Sequence, residues 1–256
     1  DKKIKKISKK INIPCFNFKN INSNKSLKKI LKFECDYLIS MSYDQIFGKA
    51  ILNRMKNKII NCHAGMLPFY RGRNIINWAI VNGEKYLGIT THIVSSKIDQ
   101  GNIIDQIKVK IYPKDTYSSL LKKAEDKCAS LLFLTIKKIQ RGKFKTIPQN
   151  KIDRKGSYFK KRTQDDEKIY WSDSAKKIHN LIRAISHPGP NSKTYLNNKL
   201  LRIKKSSLLK SKKILNKSKV GEITSSQKKY FIVNTGKGLI KILNWYPKIN
   251  IKKGHV

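Results

Sequence analysis

The 256 residues suffice for one large domain or for a medium domain with a smaller one, and 39% hydrophobic and 9% aromatic content excludes wholesale disorder. Lysine and arginine total 57 against 16 acids, a formal net charge of +41 that directs attention to nucleic acid and other polyanions. Only eight of the basic residues are arginine, whose forked guanidinium suits phosphate; an AT-rich coding sequence enriches Lys, Ile and Asn, so a solvated lysine surface is the ordinary reading of the charge.

Along the chain, Lys3–Ile11 has helical spacing with Ile4, Ile7 and Ile11 on one face, and Ile13–Phe16 reads as a short extended run. Ser26–Phe33 is a second helix candidate. Asp36–Ser42 is a mostly apolar run, as a buried parallel strand requires, followed by a short helix over Gln45–Met55 and another buried strand at Lys58–Cys62. Asn74–Val81 predicts a helix. Gly88–Ser95 alternates as a strand, with Ile103–Ile111 as its hairpin partner across Asp99-Gln100-Gly101. Asp115 is placed to cap a long helix running to about Arg141. The alternation of strands and helices indicates an α/β layer fold with a largely parallel sheet.

Composition changes at Pro148. Residues 148–170 are polar and suit a linker, Ser172–Ile185 is one amphipathic helix, and five short strand signals follow: Thr194–Leu196, Leu200–Ile203, Val220–Ile223, Tyr230–Val233 and Leu239–Leu243. They predict a small β-barrel, with the Lys/Ser-rich stretch Ser206–Lys219 as an exposed loop. The expected division is therefore 1–147, a 148–170 linker and 171–256. No apolar stretch approaches the ~20 residues of a membrane span, and Asp1–Lys6 leads into no signal-type apolar region. Cys15, Cys35, Cys62 and Cys128 stand singly, without metal-ligand spacing, so a soluble cytoplasmic protein without a metal site is expected.

The chemistry concentrates in Asn61-Cys62-His63-Ala64-Gly65-Met66-Leu67-Pro68-Phe69-Tyr70-Arg71-Gly72-Arg73. Asn61 lies at the carboxyl end of a predicted buried strand, the edge where open α/β sheets bind ligands. His63 follows two positions later, so the two side chains can share one side of an extended segment. Downstream, Lys97-Ile98-Asp99-Gln100-Gly101 sets an acid in a tight turn. An amide, an imidazole and a carboxylate together can run acyl transfer: the first meets an oxyanion, the second handles protons and the third orients the second. Each residue also has a plain structural reading. His63 can be a satisfied structural histidine, Asn61 a turn cap and Asp99 a turn residue.

The run Asn-x-His-x-Gly-x-Leu-Pro-x-Tyr-Arg-Gly, with Asp99 in Ile-Asp-x-Gly-x-Ile, resembles the folate-dependent formyltransferases, which include methionyl-tRNA, glycinamide ribonucleotide and amino-sugar members. The resemblance continues through Gly88–His92, Gly156–Phe159, Trp171–Ala175 and Leu181–Ala184, nearly the whole chain. It implies a formyltransferase-type Rossmann-like α/β sheet followed by a small all-β, OB-like barrel. Members begin with a further strand, glycine turn, helix and strand, so about fifty residues are expected upstream of Asp1. By this resemblance Asn61 would hold and polarise the formyl oxygen, His63 would stabilise or protonate the developing oxyanion, and Asp99 would orient His63 and assist proton removal. The implied donor is 10-formyltetrahydrofolate, with no metal, held by Met41, Ser42, Tyr43, Met66, Leu67, Pro68, Ile98 and Gly101. Tyr70, Arg71, Arg73, Asn77 and Trp78 would lie on the acceptor side; their Arg-Gly-Arg-x-x-x-Asn-Trp form is similar to the amino-sugar branch. A nucleotide-linked amino sugar is thus the expected acceptor, initiator methionyl-tRNA the alternative, and an inactive nucleic-acid-binding homologue the remote one. Sugar-branch members are often dimers, so the resemblance admits a homodimer, but no apolar stripe in the sequence specifies an interface.

Overall fold

The computed structural model of the chain describes residues 2–209 and 218–255. Its first half runs α1 (Lys2–Lys10), α2 (Asn24–Leu31), β1 (Leu38–Met41), α3 (Lys49–Arg54), β2 (Ile59–His63), β3 (Arg71–Gly72), α4 (Ile75–Val81), β4 (Tyr86–Ile93), β5 (Ile103–Lys110) and α5 (Tyr117–Gln140). A connecting segment with the short strand β6 (Tyr158–Phe159) leads to α6 (Ala175–Ala184). Strands β7 (Ser192–Leu196), β8 (Lys199–Leu208), β9 (Ile223–Gln227), β10 (Tyr230–Asn234) and β11 (Leu239–Tyr246) complete the fold.

The main sheet has the order β1-β2-β4-β5. Its first pairing is parallel, but β2–β4 and β4–β5 are antiparallel, which corrects the largely parallel expectation. The cause is topological: β4 returns against β2, and the Asp99 turn then makes β5 the second arm of a hairpin. β4 is buried along almost its whole length, so its hydroxyls need internal partners. Thr90 Oγ1 donates to the Gly65 carbonyl at 2.6 Å, and Thr91 Oγ1 pairs with Thr135 Oγ1 at 2.9 Å. Ile80, Ile89 and Leu120 are fully buried between the sheet and helices α4 and α5. Each such side chain contributes about 1.5–3 kcal/mol by leaving water.

Helix α5 starts one residue later than predicted. Thr116 is its cap, in a reciprocal capping box with Ser119, whereas Asp115 accepts from the Tyr112 amide and from Ser119 Oγ just upstream. The helix expected over Gln45–Met55 is confined to α3, because the preceding Gln45 side chain is committed to the Ile21 amide and the Phe18 carbonyl.

Helix α6 serves two cores. Ile178 and Ile182, four positions apart, enter the apolar cluster of the carboxyl-terminal sheet, while Ala184 joins the cluster of the main sheet. Asn77 Nδ2 donates to the Ala184 carbonyl at 2.7 Å and tightens that junction. The carboxyl-terminal strands form one five-stranded antiparallel sheet, β7-β8-β11-β10-β9, with Phe231 and Trp245 edge to face in its core. The third strand lies at Ile223–Gln227 rather than Val220–Ile223, and β8 extends through Ser206–Leu208 into the stretch expected as a loop. Residues 210–217 of that stretch lie outside the described residues. Residues 148–170 are no free linker: β6 pairs with β3, and Ser157 Oγ accepts from the Tyr70 amide at 2.9 Å. Among the described residues no helix is long and apolar enough to cross a membrane. Cys62 and Cys128 are buried and free, and Cys15 and Cys35 are exposed and free.

Candidate active site

Strand β2 delivers the first two groups. Asn61 and His63 stand two residues apart at its carboxyl end, beside a cleft of about 280 Å³. Asp99 reaches the same cleft from the turn before β5, held in left-handed backbone geometry at φ 51°. The structure therefore brings together all three groups expected to act.

The hydrogen bonds define which atoms carry protons. His63 Nε2 lies 2.7 Å from the Tyr70 carbonyl, which can only accept, so Nε2 carries the hydrogen. Its Nδ1 faces Asp99 Oδ2 at 3.6 Å. Burial pushes the His63 imidazole below its ordinary range, opposed only in part by Asp99 and the Tyr70 carbonyl. The ring is thus neutral near pH 7, with bare Nδ1 turned toward a carboxylate. Burial works to raise the Asp99 carboxyl, but the His92 and His63 rings and the Gly72 amide outweigh it and hold it below the usual carboxylate range. The Gly72 N–H donates to Oδ2 at 2.9 Å.

His92 is a group that sequence reasoning left without a role. It lies directly across the β2–β4 pairing from Asn61. Its Nδ1 donates to the Ile93 carbonyl at 2.9 Å, leaving Nε2 to accept from Asn61 Nδ2 at 3.1 Å. That contact fixes which end of the Asn61 amide is nitrogen. His92 Nε2 also stands 3.6 Å from Asp99 Oδ1, so each carboxylate oxygen faces one histidine.

Gly65 makes the return of Tyr70 over His63 feasible. A Cβ there would stand 2.4 Å from the Tyr70 oxygen and 2.5 Å from His63 Nε2. Gly65→Ala should therefore lower stability by about 1–3 kcal/mol through forced overpacking, read as a lower urea midpoint. An unchanged midpoint would show that the turn relaxes freely.

The remaining expected residues divide. Ser42, Tyr43, Ile98 and Arg73 line the cleft, with Tyr43 stacked on Phe47 at 5.7 Å between ring centroids. Met41 is exposed on β1 but does not line it. Leu67 is buried in the core, and Met66 borders a separate cavity on the far side of Gly65, so the Met66-Leu67-Pro68 run does not wall this cleft. Gly101 is tucked against the Ile93 carbonyl, where a Cβ would come within 1.7 Å, and serves to close the turn.

Four acceptor-side residues are corrected. Arg71 is buried with its guanidinium donating to Gln149 Oε1 and the Lys155 carbonyl. Tyr70, at φ 58°, turns its ring onto Phe159 and its hydroxyl to Glu84, away from the cleft. Asn77 is used at the α6 junction, and Trp78 Nε1 donates to the Lys160 carbonyl. Among the described residues no group of three His, Cys, Asp or Glu is arranged to hold a metal ion.

The formyl transferase family model matches residues 2–136, and the model of the formyl transferase carboxyl-terminal domain matches 161–251. The bifunctional polymyxin resistance protein ArnA of Wigglesworthia glossinidia brevipalpis is 40% identical over 205 residues, 80% of this chain but only 31% of ArnA. The methionyl-tRNA formyltransferase of Thermodesulfovibrio yellowstonii is 32% identical over 245 residues, covering 96% of this chain and 76% of the relative. Among solved structures, WlaRD, a sugar 3N-formyl transferase with dTDP and 5-N-formyl-THF, matches with TM-score 0.67 at 27% identity over 83% of this chain and 73% of that one. The N-formyltransferase of Helicobacter canadensis, in complex with folinic acid and dTDP-3-aminofucose, matches with TM-score 0.66 at 26% identity over 81% and 73%.

Proposed function

The chain belongs to the formyl transferase family, and from that premise we propose that it transfers a formyl group from 10-formyltetrahydrofolate to the primary amine of a nucleotide-linked amino sugar. The observation that carries the reading is the convergence of Asn61, His63 and Asp99 on one cleft. The flat Tyr43 wall and the polar backbone of Ser42 and Lys97 suit a heteroaromatic donor ring. Arg73 and Lys97 bring two cations to the same cleft, which suits a diphosphate-linked acceptor. Both sugar-related structures above, solved with folate derivatives and dTDP or a dTDP sugar, support that acceptor. In this reading residues 1–147 form the catalytic unit, 148–170 connect it, and 171–256 form an appended domain.

The chain's own residues divide the chemistry. Asn61 Nδ2 gives one hydrogen to His92 and has a second for the formyl oxygen as negative charge develops there. The attacking amine must lose a proton as its bond to the formyl carbon forms. His63 Nδ1 and Asp99 Oδ2, both acceptors and 3.6 Å apart, receive it jointly, and the carboxylate then balances the imidazolium. The same proton passes to the donor nitrogen as its bond to the formyl carbon breaks. His63 acts in this scheme as a base rather than as an oxyanion donor, because Nε2–H is engaged by Tyr70.

Initiator methionyl-tRNA is the second reading. It is favoured by methionyl-tRNA formyltransferases that match at 32–34% identity over 90–96% of the chain, and by the net charge of +41. Incubation with 10-formyltetrahydrofolate and each acceptor separates the two. Tetrahydrofolate release with a dTDP-linked amino sugar and none with charged initiator tRNA is expected; the reverse pattern would reassign the acceptor.

A further inference from the structure

Gln149 lies in the connecting segment, between the two family matches, and is 4% exposed. Its carboxamide is fully used. Nε2 donates to the Asp99 carbonyl and to the Gly101 carbonyl, each at 2.8 Å, and Oε1 accepts from Arg71 Nε at 3.0 Å and Nη2 at 2.8 Å. We propose that Gln149 is a positioning residue that sets the Asp99 carboxylate against His63 for formyl transfer. The inference rests on the activity proposed above.

The geometry explains why such a brace is needed. Asp99 sits in a turn outside any strand, in a left-handed conformation that a non-glycine residue adopts at a cost. Gln149 grips the backbone on both sides of Gln100. Through Arg71 the same carboxamide also fixes the neighbour of Gly72, whose amide meets Asp99 Oδ2. One side chain thus holds both the turn that carries the carboxylate and the strand that hydrogen-bonds it.

Gln149→Glu isolates the effect. A glutamate still accepts from Arg71, but it has no hydrogens for the two carbonyls. Expected is a fall in kcat of about tenfold to 100-fold, as for displacement of a reacting group by an ångström, with KM for donor and acceptor within about threefold. The second readout is independent of turnover. Asp99 on the turn and His92 on β4 are the titratable groups facing His63, and Asp99 raises its pKa while His92 lowers it. Gln149→Asn retracts the carboxamide by one methylene without adding charge. His63, followed by NMR, should therefore titrate at lower pH in this variant than in the wild type. A kcat within twofold of wild type in Gln149→Glu, or an unmoved His63 titration in Gln149→Asn, overturns the positioning role. A shifted titration in a protein whose wild type shows no formyl transfer would instead sink the proposed activity and leave the brace standing. Should the glutamate variant not fold, Gln149→Asn carries both readouts.

Discussion

Replacement of His63 by alanine should lower kcat for formyl transfer by about 10²- to 10⁴-fold, the range associated with loss of a positioned base. The reason is local. Nδ1 is the basic atom turned toward Asp99, and nothing else on β2 can take its place. The fold should survive, since the change strands a single partly buried acceptor, the Tyr70 carbonyl, at a cost of at most about 1–3 kcal/mol. Circular dichroism and a urea titration check this beside the kinetics. Purified His63→Ala with near-normal turnover would refute the assignment. The pH profile gives the sign. Because His63 is held below its ordinary value of 6.5, the neutral ring persists down through that pH, and kcat should decline only below it as Nδ1 becomes protonated. A rate that climbs toward acid pH would identify the imidazolium as the working form.

Asn61→Ala should cost about 2.7–4 kcal/mol of transition-state stabilisation, a loss of 10²- to 10³-fold in kcat typical of an oxyanion donor. KM for the folate donor should change little, because the amide meets charge that exists only as the formyl carbon is attacked. The same change deprives His92 Nε2 of its partner, but His92 keeps its bond to the Ile93 carbonyl and so stays in place. An Asn61→Ala enzyme with normal kcat and a raised KM would show that the amide binds substrate without serving the reaction.

Asn61 and His63 were legible because strand alternation and the strand's carboxyl end follow from local pattern, and Asp99 because acid-Gln-Gly marks a turn. His92 falls within the strand that alternation predicts over Gly88–Ser95, yet its partnership with Asn61 depends on the register of β2 against β4, which no local pattern encodes. Gln149 was hidden for a similar reason: its partners Asp99, Gly101 and Arg71 lie 48 to 78 residues upstream, and a polar stretch after Pro148 looks like solvent-exposed chain. The basic-aromatic run misled in the opposite direction. Tyr70 and Arg71 sit beside His63 in sequence, but the left-handed Tyr70 backbone and the pairing of β3 with β6 turn their side chains inward to Phe159 and Gln149. The resemblance places Leu67 at the donor site, but an apolar side chain in a short loop between strand and helix is equally a core residue, and here it is one.

The central claim is that His63 and Asp99 act as one proton-handling unit rather than as two independent aids. Formyl transfer from 10-formyltetrahydrofolate should therefore be measured for His63→Ala, Asp99→Ala and the double variant under one set of conditions. Groups that act as a unit predict a double variant about as slow as the slower single variant. Losses that multiply would contradict it.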